Sequence, residues 1–325
     1  MPQPNDNRET TTQSGDPILH ATRRNFLKCG AWAGAGLVWT VAGGIPRSTG
    51  LGFGTAALAD TGSFSFVQIS DSHIGFNKAP NPDSPGTYKE AVGKVRALGV
   101  QPAFMIHTGD VSHLSKPDEF DTAAEIIKDA RLDVHYVPGE HDVISDDGKA
   151  FFERFSTSAQ GDAKGWYSFD QSGVHFIALV NVLGFKAGGY GHLGDEQLKW
   201  LEADVKSLSA STPIVVFTHI PLWMVYADWG WGTDDAAQAL GYLKRFGSVT
   251  VLNGHIHQVI QKVEGSVSFH TANSTAFPQP APGTAPSPGP LKVEASRLKS
   301  MLGITDVSLV AVNQPLVITD ATLNA

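Results

Sequence analysis

The stretch FSFVQISDSH, Phe64 to His73, sets the pattern for the chain. Phe64 to Ser70 is rich in aromatic and β-branched residues over the length of one strand, and it breaks directly into the ionisable Asp71-Ser72-His73. The same join recurs downstream. PAFMIHT (Pro102 to Thr108) runs into Gly109-Asp110, and DVHYVP runs into Gly139-Glu140-His141-Asp142. PIVVFTH closes on His219, and SVTVLNG closes on Gly254-His255-Ile256-His257. VHFIALV reads as a further strand and VIQKVEGSVSFHT as a hairpin. Helical patterns fall between them at Thr87 to Leu98, Asp118 to Ala130, Asp195 to Leu208 and Asp235 to Phe246, with Ser115 and Pro117 as cap and first-turn residues of the second. Strands alternating with helices predict a layered α/β domain. In such sheets the carboxyl ends of the strands form the ligand crevice, so the five ionisable loops are expected to converge on one place.

Composition narrows the possibilities. The 325 residues are 42% hydrophobic, enough for one large core. With 24 Lys+Arg against 32 Asp+Glu the net charge is −8, which argues against broad nucleic-acid binding. The single cysteine, Cys29, lies near the start, so any metal held by the main domain must use His, carboxylate or amide groups.

The leader reads separately. TRRNFLK (Thr22 to Lys28) places two arginines and an apolar pair before the glycine-rich apolar run Cys29 to Ile45, and Ala57-Leu58-Ala59 precedes Asp60. This is similar to a twin-arginine export signal with a small-x-small cleavage site. It implies a signal over residues 1–59, a domain over 60–325, engagement of the twin-arginine translocation machinery, and a periplasmic or secreted product. A spanning helix needs ~20 apolar residues, more than this run offers, so no stable membrane anchor is expected.

The spacings carry the chemistry. In Asp71-x-His73 and His255-x-His257, an i, i+2 separation in extended chain puts both side chains on one face, so each pair grips one locus. Carboxylates and neutral imidazoles without thiolates suit iron, manganese or zinc, and the number of ligands implies two ions. Gly109, Gly139 and Gly254 permit tight turns beside them.

The ordered set DSH, GD, GEHD, H and GHIH, from Phe64 to Phe277, resembles the calcineurin-like metallophosphoesterase superfamily, whose pattern is DxH, GD, GNH followed by Asp or Glu, H, and GHxH. The helix-like GHLGDEQLKWLEADV (Gly191 to Val205) resembles the family's helix before the fourth motif. The resemblance implies a four-layer α/β/β/α sandwich with two central mixed β-sheets. It implies metal-dependent hydrolysis of a phosphoester, one ion held by Asp71, His73 and His257, the other by Glu140, His219 and His255, with Asp110 bridging. His141 matches the family's non-ligand histidine, which stabilises the transition state or protonates the leaving oxygen, and Asp142 is expected to orient that imidazole or a neighbouring ligand. DxH in the first motif resembles the phosphodiesterase branch; phosphomonoester hydrolysis is the alternative. Purple acid phosphatases place a tyrosine where this chain has His113, and they lack the first-motif histidine that His73 supplies here, so a ferric-tyrosinate site is disfavoured.

Position 140 departs from the pattern. The family has a neutral asparagine there and this chain has glutamate, which adds a negative charge, alters metal preference and offsets Lewis acidity. The expectation is retained activity; the contrary reading is a silenced metal- or phosphate-binding protein.

Other residues bracket the site. His113 is expected at the pocket wall, with Asn181 and His192 as further lining residues, while His107, His135, His175 and His270 read as satisfied core groups. PLWMVYADWGWG (Pro221 to Gly232) carries Trp223, Trp229 and Trp231, either as a satellite apolar cluster or as an aromatic wall over the metals. PQPAPGTAPSPGP (278–290) reads as an irregular loop that bulges from the domain, followed by a helix and a hairpin over 291–320.

Overall fold

The computed structural model describes residues 64–156, 165–184, 189–309 and 316–324, together with the backbone of a hairpin formed by β1 (Val38–Ala42) and β2 (Ile45–Thr49). Apart from that hairpin, the expected export segment lies outside the described residues. Among the described residues no helix is long and apolar enough to cross a membrane.

Two mixed sheets form the centre of the domain. One contains β3 (Phe64–Ile69), β4 (Met105–His107), β5 (Val134–Tyr136), β12 (Gly303–Leu309) and β13 (Val317–Thr322), in the order β13-β12-β3-β4-β5. β3, β4 and β5 run parallel, and the C-terminal hairpin adds antiparallel strands beside β3. The other contains β6 (Tyr167–Gln171), β7 (Val174–Ala178), β8 (Ile214–Phe217), β9 (Val249–Asn253), β10 (Gln261–Glu264) and β11 (Val267–Thr271), in the order β10-β11-β9-β8-β7-β6.

The two-residue period of β3 explains why the sheets face each other. Phe64 and Phe66 point between the sheets, onto Phe104, Phe176, Phe217 and Val307, while Val67 and Ile69 point outward under helices. Gln68, on the inner face and fully buried, donates to Thr108 Oγ1 and to Asn253 O at 3.0 Å each, tying the sheets together close to their loops.

Helices cover both outer faces. α1 (Ser84–Arg96) buries Tyr88, Ala91, Val92 and Val95, an i, i+3, i+4 stripe, on the first sheet. It is joined there by α2 (Pro117–Ile127), whose N-cap is Lys116, and by α3 (Lys149–Phe155). Ser115 does not cap α2; its hydroxyl donates to His141 O. α4 (Gly194–Val205) and α5 (Ala236–Leu243) bury Leu198, Leu201, Ala239 and Leu243 on the second sheet. The result is the expected α/β/β/α sandwich.

The C-terminal portion differs from expectation in two ways. Only Ala295–Leu298, α6, is helical in the segment after the proline-rich loop, and Leu291 N donates to Pro278 O, tying the segment's start to that loop. The loop itself is irregular but does not bulge free. Gln279 Nε2 donates to His255 O at 2.9 Å and Gln258 Nε2 donates to Pro280 O at 3.0 Å, pinning it across the ends of the second sheet.

Candidate metal centre and substrate cleft

The loops after β3, β4, β5, β8 and β9 do converge, but extended chain does not account for the paired residues. Asp71, His73, Asp110, His255 and His257 have φ of 53°, 39°, 53°, 70° and 52°, the left-handed region that costs a non-glycine residue about 1–2 kcal/mol. Each strand has already ended, and the backbone coils so that both members of a pair turn into the crevice. Cross-links hold this shape: Asp71 N donates to Gly109 O at 3.0 Å, and His73 N donates to Asp110 O at 2.9 Å. Gly109, at φ 94°, is required; a Cβ there would lie 2.6 Å from both Gly139 N and His219 Nδ1. A Cβ on Gly139 would run into the Asp110 carboxylate.

Two groups of donors result. Asp71, His73, Asp110 and His257 form one, with His73 Nε2 at 3.1 Å from His257 Nε2, and His257 Nε2 at 3.3 Å from Asp71 Oδ1. Glu140, His219 and His255 form the other, with Glu140 Oε2 at 2.8 Å from His219 Nε2 and Glu140 Oε1 at 2.9 Å from His255 Nδ1. Asp110 stands between them: its Oδ2 is 3.4 Å from His73 Nε2 and 3.4 Å from His219 Nε2. Tautomers are set from behind, since His219 Nδ1 donates to Thr108 O and His257 Nδ1 to Phe277 O at 2.6 Å each, leaving both Nε2 lone pairs aimed inward.

This donor set fits cations. Glu140 Oε2, His219 Nε2 and His255 Nδ1 are buried without a hydrogen-bond partner although they crowd one another. Imidazole and carboxylate lone pairs converging at such distances repel unless protons or positive ions lie among them. Burial alone would raise the Glu140 carboxyl, but His255 and His219 beside it hold it well below the usual range. Burial drives His73 well below its ordinary value, which favours the neutral ring a metal needs.

His141 projects between the groups. Its Nδ1 donates to His113 O at 2.7 Å, which leaves Nε2 free, and its backbone N donates to Asp110 Oδ1 at 2.9 Å. Burial opposes its protonation, but Asp110 and Glu140 outweigh that and raise it above the ordinary histidine value. Of the two roles expected of Asp142, orienting the imidazole or a neighbouring ligand, its contacts match the second. Its carboxylate accepts from the backbone N–H groups of Val111, Ser112 and Gly139 at 3.0, 2.8 and 3.0 Å, and from Ser112 Oγ at 2.9 Å. It therefore clamps the Asp110 turn to the Glu140 turn. Burial, with Asp110 nearby, pushes its carboxyl up to about 7 against the pull of those donors.

An open cleft of about 340 Å³ leads to Glu140, His141 and His255 and is walled by Trp229, Trp231, Gln279, Pro288 and Gly289. Of the residues expected at the pocket, Trp229 and Trp231 line it. His113 lies beside it, stacked on His141 with ring centroids 5.0 Å apart and its Nδ1 3.3 Å from His73 Nδ1. The others sit elsewhere. Trp223 packs on Phe269 in the core under α4 and α5. Asn181 donates to Ile220 O and Thr233 Oγ1, bracing the loop after His219. His192 pairs with Asp234 and Asp235 at the start of α4. Gln279, Pro288 and Gly289 were not legible as wall residues, because irregular proline-rich chain carries no periodicity that aims it. Among the core histidines, His107 bonds Ser72 Oγ at 2.7 Å, with burial lowering its pKa to about 3. His270 meets Asp320, and His175 meets Asp170 and Asp204, whereas His135 stacks on Phe169.

The family profile "Calcineurin-like phosphoesterase" matches residues 64–259, and the chain belongs to that family: it is a phosphoesterase, a hydrolase. It is 22% identical over 219 residues to a 3',5'-cyclic-nucleotide phosphodiesterase of Nostoc sp., covering 66% of this chain and 79% of that protein. It is 23% identical over 199 residues to a glycerophosphodiester phosphodiesterase of Enterobacter lignolyticus, covering 59% of this chain and 69% of that one. In fold it is similar to a dimetal phosphatase from Danio rerio, with a TM-score of 0.57 at 16% identity over 79% of this chain and 98% of that one.

Proposed function

We propose that this chain is an exported phosphodiesterase with a dinuclear metal centre. The carrying observation is the pair of donor groups, Asp71-His73-Asp110-His257 and Glu140-His219-His255, sharing the Asp110 carboxylate and opening onto one cleft. When bound, the ions supply Lewis acidity toward phosphoryl oxygens and acidify water. The chain's own residues do the rest. His141, held by the His113 carbonyl with Nε2 free, is placed to donate a proton or hydrogen bond to an ester oxygen as it departs. Asp142 fixes the two turns that present Asp110, Glu140 and His141. Phosphodiesters are favoured over monoesters by DxH in the first motif and by the names of the relatives. Export is supported by TRRNFLK and the alanine-rich site before Asp60.

The test is to purify the protein, measure bound iron, manganese and zinc, and assay mono- and diesters with each metal. Turnover of diesters above monoesters is expected. No hydrolysis by a fully loaded site would leave a binding protein silenced at Glu140.

A further inference from the structure

The cleft beyond the donors has a definite shape and chemistry. One side is indole: Trp229, half-buried, stands edge-on to the buried Trp231 with ring centroids 4.9 Å apart and is flanked by Tyr226 at 5.2 Å. The proline-rich loop also lines the cleft, where Pro288 and Gly289 offer a ring and bare backbone. That loop is held in position. Gln279 spends both ends of its amide as a strap, donating to His255 O at 2.9 Å and accepting from Gly289 N at 3.2 Å. The wall is thus fastened to the turn that presents two of the candidate ligands, and most of it lies beyond the family-matched residues 64–259.

Polarity points the same way. Among the described residues lining the cleft there is no Lys or Arg, and Glu140 adds negative charge at its floor. A second anionic group on the ligand would meet no lysine or arginine here and only the His141 imidazole as a cationic group, while a flat neutral ring would exchange water for contact with an indole and a proline.

We propose that Trp229 and the Pro288–Gly289 turn form a slot for a flat, uncharged ring carried on one ester arm of the substrate. The inference rests on the phosphoester reading of the same site and adds the class of group that the enzyme selects. Gln279 ties the Pro288–Gly289 turn to the His255 loop.

The slot can be tested by binding, apart from turnover. Benzyl methylphosphonate and ethyl methylphosphonate, both singly charged, are titrated calorimetrically into the metal-loaded protein, alongside 4-carboxybenzyl methylphosphonate. The benzyl compound is expected to bind at least tenfold more tightly than the ethyl compound, as stacking on an aromatic side chain provides. Trp229→Ala should erase that ratio and Trp229→Phe should keep most of it, so that a ring is shown to matter and not the fold alone. Equal affinities in the wild type, or a ratio that survives Trp229→Ala, overturn the slot; a carboxybenzyl compound that binds as well as benzyl overturns its preference for uncharged groups. Hydrolysis of bis(p-nitrophenyl) phosphate is measured on the same samples. Its absence with the benzyl preference intact would refute the reaction while supporting the slot.

Discussion

Replacing Asp142 with alanine would remove one carboxylate and strand four donors. The side chain is fully buried, and the N–H groups of Val111, Ser112 and Gly139 and the Ser112 hydroxyl all point at it from 2.8 to 3.0 Å. A buried donor left without an acceptor costs about 1–3 kcal/mol, and three backbone N–H groups lose theirs here; allowing for local relaxation, the loss is about 3–5 kcal/mol. Asp142→Asn keeps one carbonyl acceptor and turns an NH₂ toward the remaining donors, so about half that loss is expected. The assay is urea unfolding of chelator-treated protein at pH 5.5 and at pH 8: burial raises the folded carboxyl to about 7, above its unfolded value, so its contribution diminishes as pH climbs through that range and the larger loss is expected at pH 5.5. Metal content and kcat are then measured on reloaded samples. Both should fall with stability, because the clamp joins the turn carrying Asp110 to the one carrying Glu140 and His141. A loss below about 1 kcal/mol for Asp142→Ala would refute the clamp. So would unchanged stability with a displaced limb in the pH–rate profile, which would return Asp142 to the role of orienting the His141 imidazole.

Three further outcomes are expected. Glu140→Asn removes the charge lying 2.8 and 2.9 Å from His219 and His255 and should weaken retention of one ion at least tenfold while raising turnover per fully loaded site; elemental analysis after dialysis, with rates at saturating metal, checks both. His141→Ala should lower kcat by about 10²–10⁴-fold with metal content intact, as steady-state kinetics on metal-quantified protein will show. Away from the site, burial opposes protonation of His175, but hydrogen bonds and charge from Asp204 and Asp170 outweigh it and raise its folded pKa above the unfolded value. Its contribution to stability is therefore complete below the unfolded pKa and disappears as pH rises through the folded one. The Tm difference between wild type and His175→Gln should be larger at pH 5.5 than at pH 9, and an equal difference would remove the ion pair from the account.

Much of this molecule is legible in its sequence, for local reasons. The period-2 run Phe64 to Ile69, the helical stripe Tyr88-Ala91-Val92-Val95 and the punctuating glycines are written in neighbouring residues, so strands, helices and the layered class follow from them. The ligand chemistry was equally legible, because carboxylates and imidazoles at strand ends keep their identity whatever the backbone does. The strand YSFDQ at Tyr167–Gln171 was less so: as an edge strand its outer residues stay exposed, which blunts the apolar signal.

What neighbouring residues cannot encode is how distant segments press on one another. The left-handed turns at Asp71, His73, Asp110, His255 and His257 persist because five loops cross-link over the strand ends, and that over-determination exists only in the assembled sandwich. The same holds for Asp142: the sequence leaves open whether it orients the imidazole or a neighbouring ligand, and its form as a clamp between two turns exists because Val111 and Ser112 reach it across the sheet. The proline-rich loop, formless in sequence, becomes a wall through Gln279. Sequence by itself determined the layers and the identity of the donors, because side-chain chemistry and periodicity are local. The tertiary structure decided their backbone conformation, their bracing and the shape of the cleft, because those depend on contacts between residues far apart along the chain.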